Sequence, residues 1–144
     1  MSTGVEKIQA ICDERADPPS GIRTLGLDGT HKWITTLEPG HVEFTWPIDE
    51  RHHNLEGAVI CSWTIAVADQ AMFFAGLTLC GEGEATRMSD LHFQAIDNIT
   101  SGPMSVDARI ERRIEDRMYG TCTIRDLHGQ VAARAAIVLD VVTD

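Results

Sequence analysis

The stretch from Gly57 to Cys80, GAVICSWTIAVADQAMFFAGLTLC, is the longest apolar run in the chain, and a lone carboxylate, Asp69, stands in its middle. Its length is close to what a bilayer-spanning helix needs. Asp69 and Gln70 would then sit near mid-bilayer, where an ionisable group costs several kcal/mol. The flanks carry Glu56, Glu82 and Glu84 in place of a Lys/Arg cluster. The run is therefore predicted to be a buried helix, apolar nearly all round. Gly57 precedes it, Gly81 and Gly83 follow it, and Gly76 is placed to end it early. At helical spacing Ser62, Ile65, Ala66, Asp69, Met72 and Phe73 share a face, which turns Asp69 back toward the helix start about two turns away.

A chain of 144 residues makes one domain, 1–144, with room for a substantial core. Its net charge of −10 opposes a general nucleic-acid surface, which needs a basic face. The local cluster of Arg109, Arg112, Arg113 and Arg117 leaves room for an anionic ligand. The opening MSTGVEKIQA lacks a signal-peptide pattern. Cys12, Cys61, Cys80 and Cys122 show no close spacing, so free thiols in a cytoplasmic protein are expected.

Around the central run the chain reads mostly as strands. Val5, Ile8, Ile11 and Cys12 make an apolar stripe, predicting a helix over about 4–15 capped by Ser2 or Thr3. Asp17-Pro18-Pro19-Ser20-Gly21 ends it. Lys32–Thr36, KWITT, is rich in β-formers and predicts a strand. Pro39-Gly40 reads as a turn. HVEFTWP, from His41, alternates with Val42, Phe44 and Trp46 on one side. Asp49–Glu56 is a polar loop leading into the helix. After the helix, Thr86–Ala95 reads as a strand with Met88, Leu91 and Phe93 inward, its broken alternation predicting a bulge. Residues 97–103 form a loop. Met104–Arg113 and Arg117–Arg125 alternate cleanly, Asp126-Leu127-His128-Gly129 is a hairpin turn, and Gln130–Val142 is the last strand. The fold class is α+β, one long helix lying on a curved antiparallel sheet.

This arrangement resembles the hotdog fold, and within it the PaaI-like acyl-CoA thioesterases. The resemblance rests on Asn54, Gly57, the helix bearing Asp69, the strand from Thr86 to Phe93, and the hairpin Asp126-Leu127-His128-Gly129-Gln130-Val131-Ala132-Ala133. The hairpin is similar to that family's D-x-x-G-x-x-x-A pattern, and the likeness spans roughly Gly40 to Val142. The family's helix entry reads N-x-x-G-x-x-H-G-G, followed by an acidic residue on the helix. Here Asn54 and Gly57 are kept, Ile60 stands at the His, and Cys61 and Ser62 stand at the two glycines. Asp69 falls at the family's catalytic carboxylate.

The resemblance implies thioester hydrolysis on an acyl-CoA, with coenzyme A as part of the substrate and no further cofactor. Asp69 would act as general base or nucleophile, and a partly apolar setting would raise its pKa. The backbone N–H of Cys61, aided by the helix dipole, would hold the oxyanion. Asn54 would bond the attacking water or the Asp69 carboxylate of another subunit. Gly57, Ile60, Ser62, Trp63 and Phe73 would shape the substrate site. Arg112, Arg113 and Arg117 are candidates for the CoA phosphates. The family forms back-to-back sheet dimers with active sites shared between chains, which implies a homodimer or a dimer of dimers, with neither a nucleic-acid nor a membrane partner.

Each residue also has a structural reading. Asp69 can be a buried carboxylate satisfied by its neighbours, Asn54 a turn residue, and Gly57 a backbone requirement. The arginines can pair with Glu111, Glu115 and Asp116. Trp63 suits the core as well as an acyl pocket. A catalytic thiol at Cys61 lacks a His fixed beside it. His52 and His53 with Asp49 lack a spaced third ligand, so no metal site is expected. Two other functions stay open. One is acyl-CoA or acyl-carrier binding without turnover, which the altered helix entry favours. The other is a hydratase or dehydratase, for which Asp49 and His53 are a loose match.

Overall fold

The computed structural model describes residues 3–17, 20 and 34–143. Helix α1 (Gly4–Cys12) is followed by β1 (Ile34–Glu38), β2 (His41–Trp46), a short 3-10 turn (Glu50–His52), helix α2 (Cys61–Leu77), β3 (Glu84–Ala95), β4 (Met104–Ile114), β5 (Arg117–Arg125) and β6 (Val131–Thr143). Most of the loop at 17–21 and the first part of the expected strand at 32–36 lie outside the described residues. Thr3 caps α1 in a capping box with Glu6. The helix stops at Cys12, short of the expected residue 15. Its apolar stripe runs out there, Asp13 is held by Gln9 and Arg15, and Glu14 turns into the left-handed region.

The strands form one antiparallel sheet in the order β1-β2-β4-β5-β6-β3. The predicted bulge in β3 falls between Met88 and Asp90. The D-x-x-G hairpin closes with Gly129 at φ +81° and a 2.9 Å bond from the Asp126 N–H to the Gln130 carbonyl. Because β2 lies near one edge and β3 at the other, α2 must carry the chain across the sheet. It packs against β2 through β6. The alternating strands bury one row each beneath it: Val42, Phe44 and Trp46; Met104, Val106 and Ala108; Met118, Cys122 and Ile124; Ala135, Ile137 and Leu139.

The face of α2 that meets the sheet differs from the one read off the sequence. Thr64, Val67, Ala68, Ala71, Met72 and Ala75 are buried, whereas Ser62 is exposed and Ile65, Ala66, Asp69 and Phe73 are only half-buried. Met72 thus leaves the Asp69 side and packs on Gly120. A helix apolar all round has no hydrophobic stripe to announce its inner face. Here Ala68, Ala71, Ala75 and Gly76 bring the backbone close to the sheet. Gly76 does not end the helix; it fits against Leu139 and Thr86. Thr78 finishes the job, its hydroxyl donating to the Ala75 carbonyl (2.6 Å) and accepting from the Gly40 N–H (2.7 Å) in the β1–β2 turn.

Gly120 tests this seating. A Cβ there would collide with the Met72 side chain and with the Arg109 carbonyl on the next strand. Gly120→Ala is expected to destabilise the protein by about 1–3 kcal/mol in urea unfolding, the range for overpacking a filled core.

Candidate active site

The loop before α2 is built to present a bare helix start. Asn54 Oδ1 accepts from the N–H groups of Glu56 (2.9 Å) and Ala58 (3.1 Å), and the Asn54 N–H reaches the Ala58 carbonyl (2.7 Å). Gly57 completes this turn at φ +78°. The side-chain oxygen of Asn54 is therefore committed to the loop. The Val59 N–H donates to the Ile99 carbonyl and the Ile60 N–H to the His52 carbonyl, both at 2.8 Å. These bonds fix the chain on either side of the first helical residue, Cys61.

Ile60 occupies the N-cap position and offers no capping side chain. The N–H groups of Trp63 and Thr64 turn back to the Ile60 carbonyl. Those of Cys61 and Ser62 have no acceptor among the described residues. Two free donors thus stand at the positive end of a 17-residue helix.

Beside them is a cavity of about 50 Å³. Val59, Phe93, Ile99, Ala132 and Ala133 give it an apolar wall, Cys61 and Thr64 form the helix side, and Asp97 and Asn98 lie at its rim. Ala133 is the last position of the D-x-x-G-x-x-x-A hairpin, and its small side chain leaves part of this space. Asp97 and Asn98 carried no sequence signal beyond being in a loop. The fully exposed Leu55, at the tip of the Asn54 turn, was likewise unmarked.

Asp69 is half-buried on the outer side of α2. Burial raises its pKa above the ordinary carboxylate range, and a hydrogen bond from Gln70 opposes this in part. Eight residues separate it from Cys61, about 12 Å along the helix axis. The carboxylate and the free N–H groups of one chain cannot meet at one reacting carbon.

The other sequence candidates are dispersed. Trp63 is buried, stacked on His52 with ring centroids 3.8 Å apart and set edge-on to Trp46. Burial lowers the His52 pKa, so the imidazole stacks uncharged at neutral pH. Ile60 and Ser62 are exposed at the helix start, and Phe73 is half-buried three turns beyond. Arg112, Arg113 and Arg117 lie around the β4–β5 hairpin, beside the far end of α2. Arg113 clasps the Leu79 carbonyl (2.8 Å) and Glu84 (2.9 Å), and Arg117 pairs with Asp140 (3.2 Å). Arg112 is exposed. Asp49 is spent on the Arg51 backbone and guanidinium, away from any His53 partnership. All four cysteines are free thiols, and burial pushes Cys122 up to about 12.

No protein-family model matches the sequence, and no curated protein matches it significantly. Solved structures do match. A thioesterase family protein from Silicibacter pomeroyi superposes with a TM-score of 0.81 at 19% identity, over 98% of this chain and 99% of its own. The Escherichia coli PaaI protein of the phenylacetic acid degradation operon gives 0.79 at 14%, over 96% and 94%. A Streptococcus mutans protein bound to acetyl-CoA gives 0.71 at 16%, over 77% and 88%. The chain has the hotdog fold. Among the described residues no helix is long and apolar enough to cross a membrane.

The raised Asp69 pKa has a stability consequence. Below the ordinary carboxylate range the group is protonated whether folded or not and costs nothing. Above its folded pKa the full cost of burying the charge is present. Asp69→Asn is therefore expected to raise the melting temperature at neutral pH. In melts across pH, that gain should vanish as the pH falls through about 4, the unfolded Asp value.

Proposed function

We propose that this protein is an acyl-CoA thioesterase whose active site is shared between two copies of the chain. The observation that carries the reading is the uncapped start of α2, with two free N–H groups beside a small apolar cavity. Such donors suit the oxyanion that develops when a thioester carbonyl is attacked. The half-buried Asp69 supplies a base with a raised pKa, suited to drawing a proton from water. Its 12 Å separation (about eight residues of helix rise) from Cys61 calls for Asp69 from a second copy at each site.

The fold offers a surface for that copy. β3 pairs only with β6 among the described residues, so its outer edge is open along 12 residues. Open edges of this length are pairing templates. Half-buried Met88, Leu91 and Phe93 line the same strand. A second copy added antiparallel along β3 would set the two α2 helices antiparallel, bringing the start of one toward the middle of the other. The same operation would carry the Arg112–Arg117 hairpin of one copy toward the helix start of the other, where CoA phosphates would lie. Neighbours of this fold holding acetyl-CoA and coenzyme A support the ligand class.

Cys61 contributes through its backbone in this reading. Proline is tolerated at the first helical position and removes only the N–H. Ile60, at φ −64° and ψ 136°, already has the conformation proline requires of its predecessor. With free CoA followed by a thiol reagent over a panel of acyl-CoA esters, Cys61→Pro is expected to lose about 10²–10³-fold in kcat. Cys61→Gly should keep turnover, and Asp69→Asn should lose about 10²–10⁴-fold while still binding acyl-CoA. Full turnover by Asp69→Asn would refute the mechanism. Acyl-CoA binding by the wild type without turnover on any ester would establish instead the binding protein that the Ile60-Cys61-Ser62 entry favours.

A further inference from the structure

We propose that His41, Glu43 and Asp107 form a site for a divalent transition-metal cation of the Zn²⁺ class, on the sheet face turned away from α2. Val42 and Phe44 point inward from β2, so His41 and Glu43 point outward, as does Asp107 between the buried Val106 and Ala108 of β4. One ligand atom from each residue lies within 4.8 Å of the others. His41 Nε2 is 3.1 Å from Asp107 Oδ1 and 3.6 Å from Glu43 Oε1. Tetrahedral ligands with metal bonds of about 2.0–2.2 Å stand roughly 3.3–3.6 Å apart, so Glu43 is already at ligand spacing from His41, and Asp107, now at hydrogen-bond distance, needs to move out by only a few tenths of an ångström.

A second observation comes from the sheet register. Glu43 and Asp107 are directly opposed across β2 and β4. Like charges in that position destabilise a strand pair, and a cation between them removes the cost. The surroundings orient the three ligands as an outer shell does. Thr36 Oγ1 donates to Glu43 Oε2 (2.8 Å), leaving Oε1 turned to His41. Arg109 bonds both Asp107 oxygens, with Nε to Oδ1 at 3.0 Å and Nη2 to Oδ2 at 3.1 Å. In the metal-free protein His41 Nε2–H donates to Asp107 Oδ1 (3.1 Å), and a cation would take the place of that proton, while Glu38 Oε2, 3.7 Å from His41 Nδ1, stands on the side where the metal-bound ring carries its N–H. Three carboxylates against one guanidinium leave two negative charges, the complement of a divalent ion. Imidazole beside carboxylate favours Zn²⁺, Ni²⁺ or Co²⁺ over Mg²⁺ or Ca²⁺.

The test is calorimetric titration of Zn²⁺ into untagged, chelator-treated full-length protein carrying Cys61→Ala, which removes the exposed thiol as a competing ligand. Saturable binding of one equivalent, with a rise in melting temperature, is expected. Adding His41→Ala or Glu43→Gln should weaken it at least 10-fold, and Thr36→Val, which touches only the outer shell, about 10–100-fold. Circular dichroism and metal-free melts of each variant report folding separately. Equal affinity in parent, His41→Ala and Glu43→Gln would overturn the proposal, because the zinc would then be elsewhere. So would the absence of parental binding at millimolar Zn²⁺, which would leave the cluster as a hydrogen-bonded group on the sheet surface.

Discussion

Everything in this molecule depends on how closely α2 can approach the sheet. The helix has no polar side to fall back on, so its seat is decided by side-chain size. Ala68, Ala71, Ala75 and Gly76 bring its backbone in, and Gly120 clears the space that Met72 fills. Burying this layer supplies most of the core, at roughly 25 cal/mol per Å² of apolar surface removed from water. The seat also fixes the rotation of the helix. With the small residues inward, Asp69, Ile65 and Phe73 face outward, half-covered and available to something beyond the chain.

The same seat sets the two chemical features apart. The bare N–H groups belong to the first turn, and Asp69 to the middle. A rigid helix cannot fold its middle back on its start, so in the proposed mechanism one copy supplies the donors of one site and the carboxylate of the other. The proposed two-fold pairing would solve this without any new element, because antiparallel helices would bring start and middle together at two equivalent sites. In that proposal the cost of keeping Asp69 half-buried would be tied to function. It is the kind of local conflict with stability that active sites carry.

Much of this was legible in the sequence. The alternation of β2 named its buried residues and that of β4 and β5 marked them as strands, because a strand with one buried face declares itself with a period of two. The break in β3 announced its bulge. The helix start was legible through Asn54 and Gly57, whose residue types a tight turn demands. What stayed hidden has physical reasons. The inner face of α2 was unreadable because apolar residues surround it. The cavity wall joins Val59, Phe93 and Ala133, three elements whose proximity only the topology creates. For Arg113 the sequence offered the nearby Glu111, Glu115 and Asp116, whereas its partners are Glu84 at the start of β3 and the Leu79 carbonyl just after α2, distant in sequence. His41 and Glu43 gave no hint of Asp107 because cross-strand register has no local signature.

The claim that two copies share each site is tested most directly by subunit mixing. Asp69→Asn and Cys61→Pro, each inactive alone, would be co-refolded and assayed for release of CoA. A mixed pair has one site in which the intact Asp69 of one copy meets the intact N–H of the other. Random assortment into symmetric dimers then predicts recovery of about one quarter of wild-type activity. A mixed sample that forms heterodimers and stays as inactive as its parents would show that both groups act within one chain, and would contradict the shared site.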